Sequence, residues 1–137
     1  MARKILGVAA GLAVWSLIVI VAGTIMRRSW PAYASVADAM TFTFPMLVAR
    51  LSISAVATFA AGIITAVIAQ PSKLVSLMPG LLLLIVFIPV HAMLWDRFPV
   101  WYHLTFLVPL CPLTYLGGML AGTGMALVPA NSSPGDR

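Results

Sequence analysis

SLMPGLLLLIVFIPVHAMLWDRFPVWYHLTFLVPLCPLTYLGGMLAGTGMAL, residues 76–127, is the stretch that decides the fold. Two apolar runs, 76–95 and 100–127, are separated only by Asp-Arg-Phe-Pro at 96–99. About 20 consecutive apolar residues suffice for a helix to cross the hydrocarbon core of a bilayer. Backbone groups in lipid must be paired inside the protein, which leaves helices or a closed barrel. Neither run alternates as barrel strands do. The stretch therefore reads as a helical hairpin whose tight turn lies at one membrane face, with Pro99 placed to open the second helix.

Upstream, the same yardstick finds two more spans, ILGVAAGLAVWSLIVIVAGTIM at 5–26 and MLVARLSISAVATFAAGIITAVIA at 46–69. The expected fold is all-α: four transmembrane helices in a single domain over 1–130, followed by a disordered polar tail, NSSPGDR, at 131–137. QPSK at 70–73 reads as a second tight turn. The longer connector, RRSWPAYASVADAMTFTFP at 27–45, carries Trp30, Tyr33, Phe42 and Phe44 and suits a segment lying in the membrane interface. The first run is longer than a signal-peptide core and is followed by Arg27-Arg28, so it is expected to be retained as an anchor.

The composition agrees with this reading. The 137 residues are 62% hydrophobic and 8% charged, too little charge for a soluble domain of this length. The net charge of +5 comes from cations at segment ends, which suits headgroups and not nucleic acid. Orientation stays open. Arg3, Lys4, Lys73 and Arg137 fall on one side, and Arg27, Arg28, Arg50 and Arg97 on the other, a tie under the positive-inside rule. Small residues four apart, Gly7 with Gly11, Ala57 with Ala61, and Gly118 with Gly122, pack the bundle or dock a second copy as a homodimer.

Two crossings separate the first connector from the third, so their polar residues share one side. That side gathers Arg50, His91, Asp96, Arg97 and His103 as candidate contacts for lipid, anion or partner. Trp30, Tyr33, Trp95, Trp101 and Tyr102 are its interfacial anchors. His91 and His103, the two histidines of the chain, lie about 7 and 6 Å below the 96–99 turn on neighbouring helices.

Four readings of that pair compete. A bis-histidine haem would crowd a hairpin whose helices are about 8 to 10 Å apart. A divalent metal could take Asp96 as third ligand, with Asp38 the one other carboxylate able to help and Cys111 about two turns too deep to join. An anion or headgroup pocket would use Arg50, Arg97 and the histidines on a phosphate, a quinone carbonyl or a carboxylate. In the plainest reading they are rim residues, with Arg50 snorkelling to the surface or paired with Asp96.

Pro89 frees the carbonyl of Ile85, and Pro109 and Pro112 free those of Thr105 and Val108. A kink is expected there, with Thr114 or water satisfying the loose carbonyls, while Pro79 is expected in the first turn of its helix. Asp and Glu are missing from every predicted span, which speaks against a carboxylate-coupled transporter. Zinc-protease, nucleophile-elbow and phosphate-loop motifs do not occur, and no spacing fixes a triad from Asp38, a histidine and a serine, so no catalysis is expected.

The segments MLVARLSISAVATFAAG and PVHAMLWDRFPVWYHLTFLVPLCPLTYLGG resemble uncharacterised small four-helix inner-membrane proteins of proteobacteria, most specifically at LWDRFPVWYH. The resemblance covers a little over half of the chain. It implies a multi-pass protein of a bacterial inner membrane and no particular activity. The expected role is that of a non-catalytic accessory or structural component, without cofactor, whose aromatic and cationic end touches headgroups or a partner. The alternatives are a haem- or metal-binding redox protein using His91 and His103, and a small dimeric transporter.

Overall fold

The computed structural model describes residues 1–69 and 73–126. Among them are six helices and no strand: α1 (Ala2–Ser29), α2 (Pro31–Ala37), α3 (Phe44–Ala69), α4 (Lys73–Met93), α5 (Val100–Leu107) and α6 (Leu110–Ala126). Helices α1, α3 and α4, and α5 continued by α6, are long and apolar enough to cross a membrane four times. The expected all-α bundle is what forms. The 70–73 turn, apart from Lys73 at the start of α4, and the 131–137 tail lie outside the described residues.

Helix α3 is the hub, with α1 along one side, α6 along another, and α4 closing against α6 and α3. Its buried face is made of small and hydroxyl-bearing residues: Ser54, Ala57, Thr58, Ala61, Gly62, Thr65 and Ala66. Large aliphatic residues such as Leu17, Ile20, Ile85 and Val86 point outward. Lipid tails are as apolar as leucine, so large side chains gain nothing by turning inward, and close backbone approach becomes the main source of cohesion. Gly62 and Gly117 show it most plainly. A methyl group on Gly62 would run into the backbone of Thr114, and one on Gly117 into the Phe59 carbonyl.

This packing answers one expectation. Methyl groups on Gly7 and Gly11 would meet Ala69, Thr65 and Ala61 of α3, and one on Gly118 would meet the Ser76 side chain. These three glycines face the inside of the bundle, so a homodimer cannot use them; Gly122 is half-buried on α6.

Helix boundaries differ from expectation where prolines act. The fourth span breaks at Val108-Pro109, because Pro109 and Pro112 cannot donate to the carbonyls one turn back. Helical bonding resumes with Leu113 N–H donating to the Pro109 carbonyl at 2.9 Å. Thr114 does not reach the freed carbonyls of Thr105 and Val108. Its hydroxyl bonds the carbonyls of Leu110 at 3.1 Å and Cys111 at 3.0 Å instead, the usual reach of a helical threonine. Because α4 already starts at Lys73, Pro79 sits inside the helix and not in its first turn. Pro99 is the N-cap of α5 and not its first helical residue.

Candidate functional site

The 27–45 connector and the 96–99 turn meet at one end of the bundle. The connector is mostly helix: α1 runs on through Ser29, Pro31 opens α2 at its first position, and α3 begins at Phe44. Helix α2 turns Tyr33 and Ala37 inward against Met46. Phe42 follows and stacks on Tyr33 with ring centroids 5.1 Å apart, then faces Phe98 at 6.2 Å, which in turn packs on Tyr102 at 5.0 Å. These four rings form a wall drawn from the connector, the turn and α5.

Arg50 lies half-buried against that wall. It lies six residues into α3, about 9 Å along the axis. Its Nε donates to the Tyr102 hydroxyl at 3.3 Å and its Nη1 to the Tyr33 hydroxyl at 2.8 Å. The guanidinium carbon lies 4.8 Å from the centre of the Phe42 ring, within reach of a cation–π attraction. The expected pairing of Arg50 with Asp96 does not form. Asp96 is exposed on the turn, and the ion pair found among the described residues joins Arg27 to Asp38 at 3.1 Å, on the surface. Phenol oxygens and a ring face take the place of a carboxylate. Helix α3 points Arg50 towards α2 and α5, away from the outer surface of the turn, so the reach to Asp96 is lost.

Below and beside this cluster the two histidines meet. Their Nδ1 atoms are 2.7 Å apart, and His103 Nε2 lies 3.2 Å from the Phe98 carbonyl. A carbonyl only accepts, so Nε2 of His103 carries a hydrogen. In the neutral ring its Nδ1 is then bare, and His91 Nδ1–H donates to it. His103 is fully buried and stacks on Trp95, with centroids 4.7 Å apart and planes 14° apart. His91 packs on Phe106 at 4.6 Å and on Tyr102 at 6.1 Å. Tyr102 thus bridges the two clusters: its hydroxyl holds Arg50 and its ring covers His91.

This geometry bears on the cofactor alternatives. An iron held between two axial ring nitrogens needs about 4 Å between them, and a tetrahedral zinc about 3.3 Å, at about 2.0 Å per bond. At 2.7 Å the rings bond each other, so a haem iron could enter only if α4 and α5 moved apart. Among the described residues no three of His, Cys, Asp and Glu come together to hold a metal ion, and Asp96 does not complete a set.

The end of the bundle therefore joins Arg50, Tyr33, Tyr102, His91, His103 and Trp95. It leaves Asp96 and Arg97 exposed on the turn. Trp101 stays partly exposed against Phe44, and Trp30 flanks Tyr33 at 6.1 Å. Phe42, Phe98 and Phe106 were not among the expected site residues. The hint for the first two was a phenylalanine set among polar connector residues, which sequence assigns equally to interfacial anchoring, as with the exposed Phe44, or to buried packing. Beside Arg50 lies a half-open pocket of about 150 Å³, lined by Tyr33 and Tyr102 at its head and by Trp15, Phe87 and Phe106 further along the bundle. Trp15 is anchored by its Nε1–H donating to Thr58 at 3.1 Å.

Compared with known protein families, characterised proteins and solved structures, the chain matches none.

Proposed function

We propose that this protein is a non-catalytic accessory or structural component of a bacterial inner membrane, whose aromatic and cationic end engages anionic lipid headgroups or an acidic partner segment. Four helices long and apolar enough to cross a bilayer support the membrane reading, and the bacterial inner membrane is part of the proposal. The observation that carries the role is the way this end uses its polar groups. The histidines are spent on each other and on the Phe98 carbonyl, while Arg50 is held by two phenols without a carboxylate. What remains outward is a rim of Trp95, Trp101, Arg28 and Arg97, the composition that settles at headgroup depth.

The test is thermal stability of the protein reconstituted into phosphatidylcholine vesicles with and without phosphatidylglycerol. Anionic lipid should raise the unfolding midpoint, and the double variant Arg28→Gln/Arg97→Gln should lose most of that rise. Equal midpoints in both vesicles would remove the headgroup reading and leave the partner reading to be tested by site-specific cross-linking from position 101.

A further inference from the structure

We propose that the pocket beside Arg50 is a binding site for the oxyanion head of a membrane amphiphile, a carboxylate or phosphate carrying a hydrocarbon chain. The proposal rests on the reading of this end as an anionic-lipid contact and deepens it. It moves the contact from the surface rim into the bundle.

The hydrogen-bonding inventory sets the ligand class. A guanidinium has five N–H groups and no acceptor. Tyr33 and Tyr102 each receive one of them on oxygen, which leaves each phenol its own O–H to donate. The head of the cavity therefore offers guanidinium N–H and phenol O–H groups around one full positive charge. Of the acidic side chains among the described residues, Asp38 is engaged with Arg27 at the surface and Asp96 is exposed. A donor-rich cationic head fits a species with several acceptor lone pairs and a negative charge. A neutral carbonyl would use a donor or two and leave the charge in the span uncompensated.

The body of the cavity sets the rest of the molecule. From the Arg50 end it follows α1 from Met26 through Gly23 and Val19 to Trp15, about three turns towards the middle of the bundle. Apart from Ser54 its walls there are apolar. A hydrated free anion gains nothing from them, whereas a hydrocarbon chain attached to the head does. At Gly23 the pocket is open, since a side chain built there would meet nothing within 4 Å, and a chain lying in it passes over this position.

The experiment uses the full chain in a neutral maltoside detergent and follows quenching of tryptophan fluorescence by brominated amphiphiles, because Trp15 lines the cavity. The probes are dibromostearate, its uncharged methyl ester and a brominated lysophosphatidate, with inorganic phosphate as competitor. Saturable quenching by the carboxylate or the phosphate is expected, with the methyl ester at least about tenfold weaker, as for loss of one charge-assisted interaction. The tighter of the two anionic probes identifies the natural head. Trp15→Phe should remove most of the quenching. Arg50→Gln should erase the difference between acid and ester, and Gly23→Leu should block the chain while leaving the donors in place.

An ester that binds as well as the acid, a preference that survives Arg50→Gln, or full displacement by inorganic phosphate would each overturn the proposal. If Arg50→Gln does not fold, the Tyr33→Phe/Tyr102→Phe variant keeps the charge, removes two O–H donors, and should weaken the anionic probes severalfold. The rim is separable. If Arg28→Gln/Arg97→Gln abolishes the anionic preference and Arg50→Gln does not, the surface reading stands and the cavity site falls. If wild type shows no anionic preference in any arm, both fall.

Discussion

Replacing His103 with phenylalanine removes two hydrogen bonds from a fully buried position, and the consequence follows from which atoms are stranded. The Phe98 carbonyl loses its donor, a net cost of about 1 kcal/mol, and His91 Nδ1–H loses its acceptor inside the bundle, about 1–3 kcal/mol more. The ring stack on Trp95 is preserved by the new side chain, so the expected loss for His103→Phe is roughly 2–4 kcal/mol. His91→Phe leaves His103 Nδ1 without a donor and should cost roughly 1–3 kcal/mol. In the double variant the pair is replaced by two rings of similar shape with no stranded donor. Its loss should therefore fall short of the sum of the singles by at least about 1 kcal/mol. The assay is unfolding from mild detergent into dodecyl sulfate, followed by tryptophan fluorescence, on all four proteins of the cycle. Additive losses would mean that the two imidazoles share no bond.

Other consequences of the packing can be read in the same assay. Gly62→Ala should cost roughly 1–3 kcal/mol or more through separation of α3 from α6, since the obstacle is backbone and cannot turn aside. Gly23→Ala meets open space and should be neutral or stabilising by up to about 1 kcal/mol, so equal effects of the two would contradict the glycine contacts described. Thr58→Val strands the buried Trp15 Nε1–H and should cost about 1–3 kcal/mol, while adding Trp15→Phe to it should cost less than Trp15→Phe alone.

The four spans and the sharing of one side by the two connectors were readable from apolar run length alone, as was the common depth of His91 and His103. Run length fixes depth and leaves rotation about the axis free. Arg50 meets Tyr102 across 52 positions of sequence and Tyr33 across 17, and which helix faces come together depends on how the small residues of α3 seat against α1 and α6. In spans that are apolar all round, no periodic stripe announces that rotation. So Asp96, the nearest acid by depth, was an expected partner of Arg50, and the phenols were not. The break at Val108-Pro109 was foreseeable as a kink, because proline withdraws the donors. The route of Thr114 back to Leu110 and Cys111 depends on local rotamers that sequence does not display.

In the proposal made above, the polar groups at this end bind one another and an acceptor-rich head, and do not form a cofactor centre. The most direct test is an absorption spectrum, oxidised and reduced, together with metal analysis, on detergent-purified protein expressed with haem precursor and trace metals supplied. A folded protein without a stoichiometric chromophore or metal is expected. A stoichiometric haem band or metal, lost in both His91→Ala and His103→Ala, would contradict it and make the hairpin end a cofactor site.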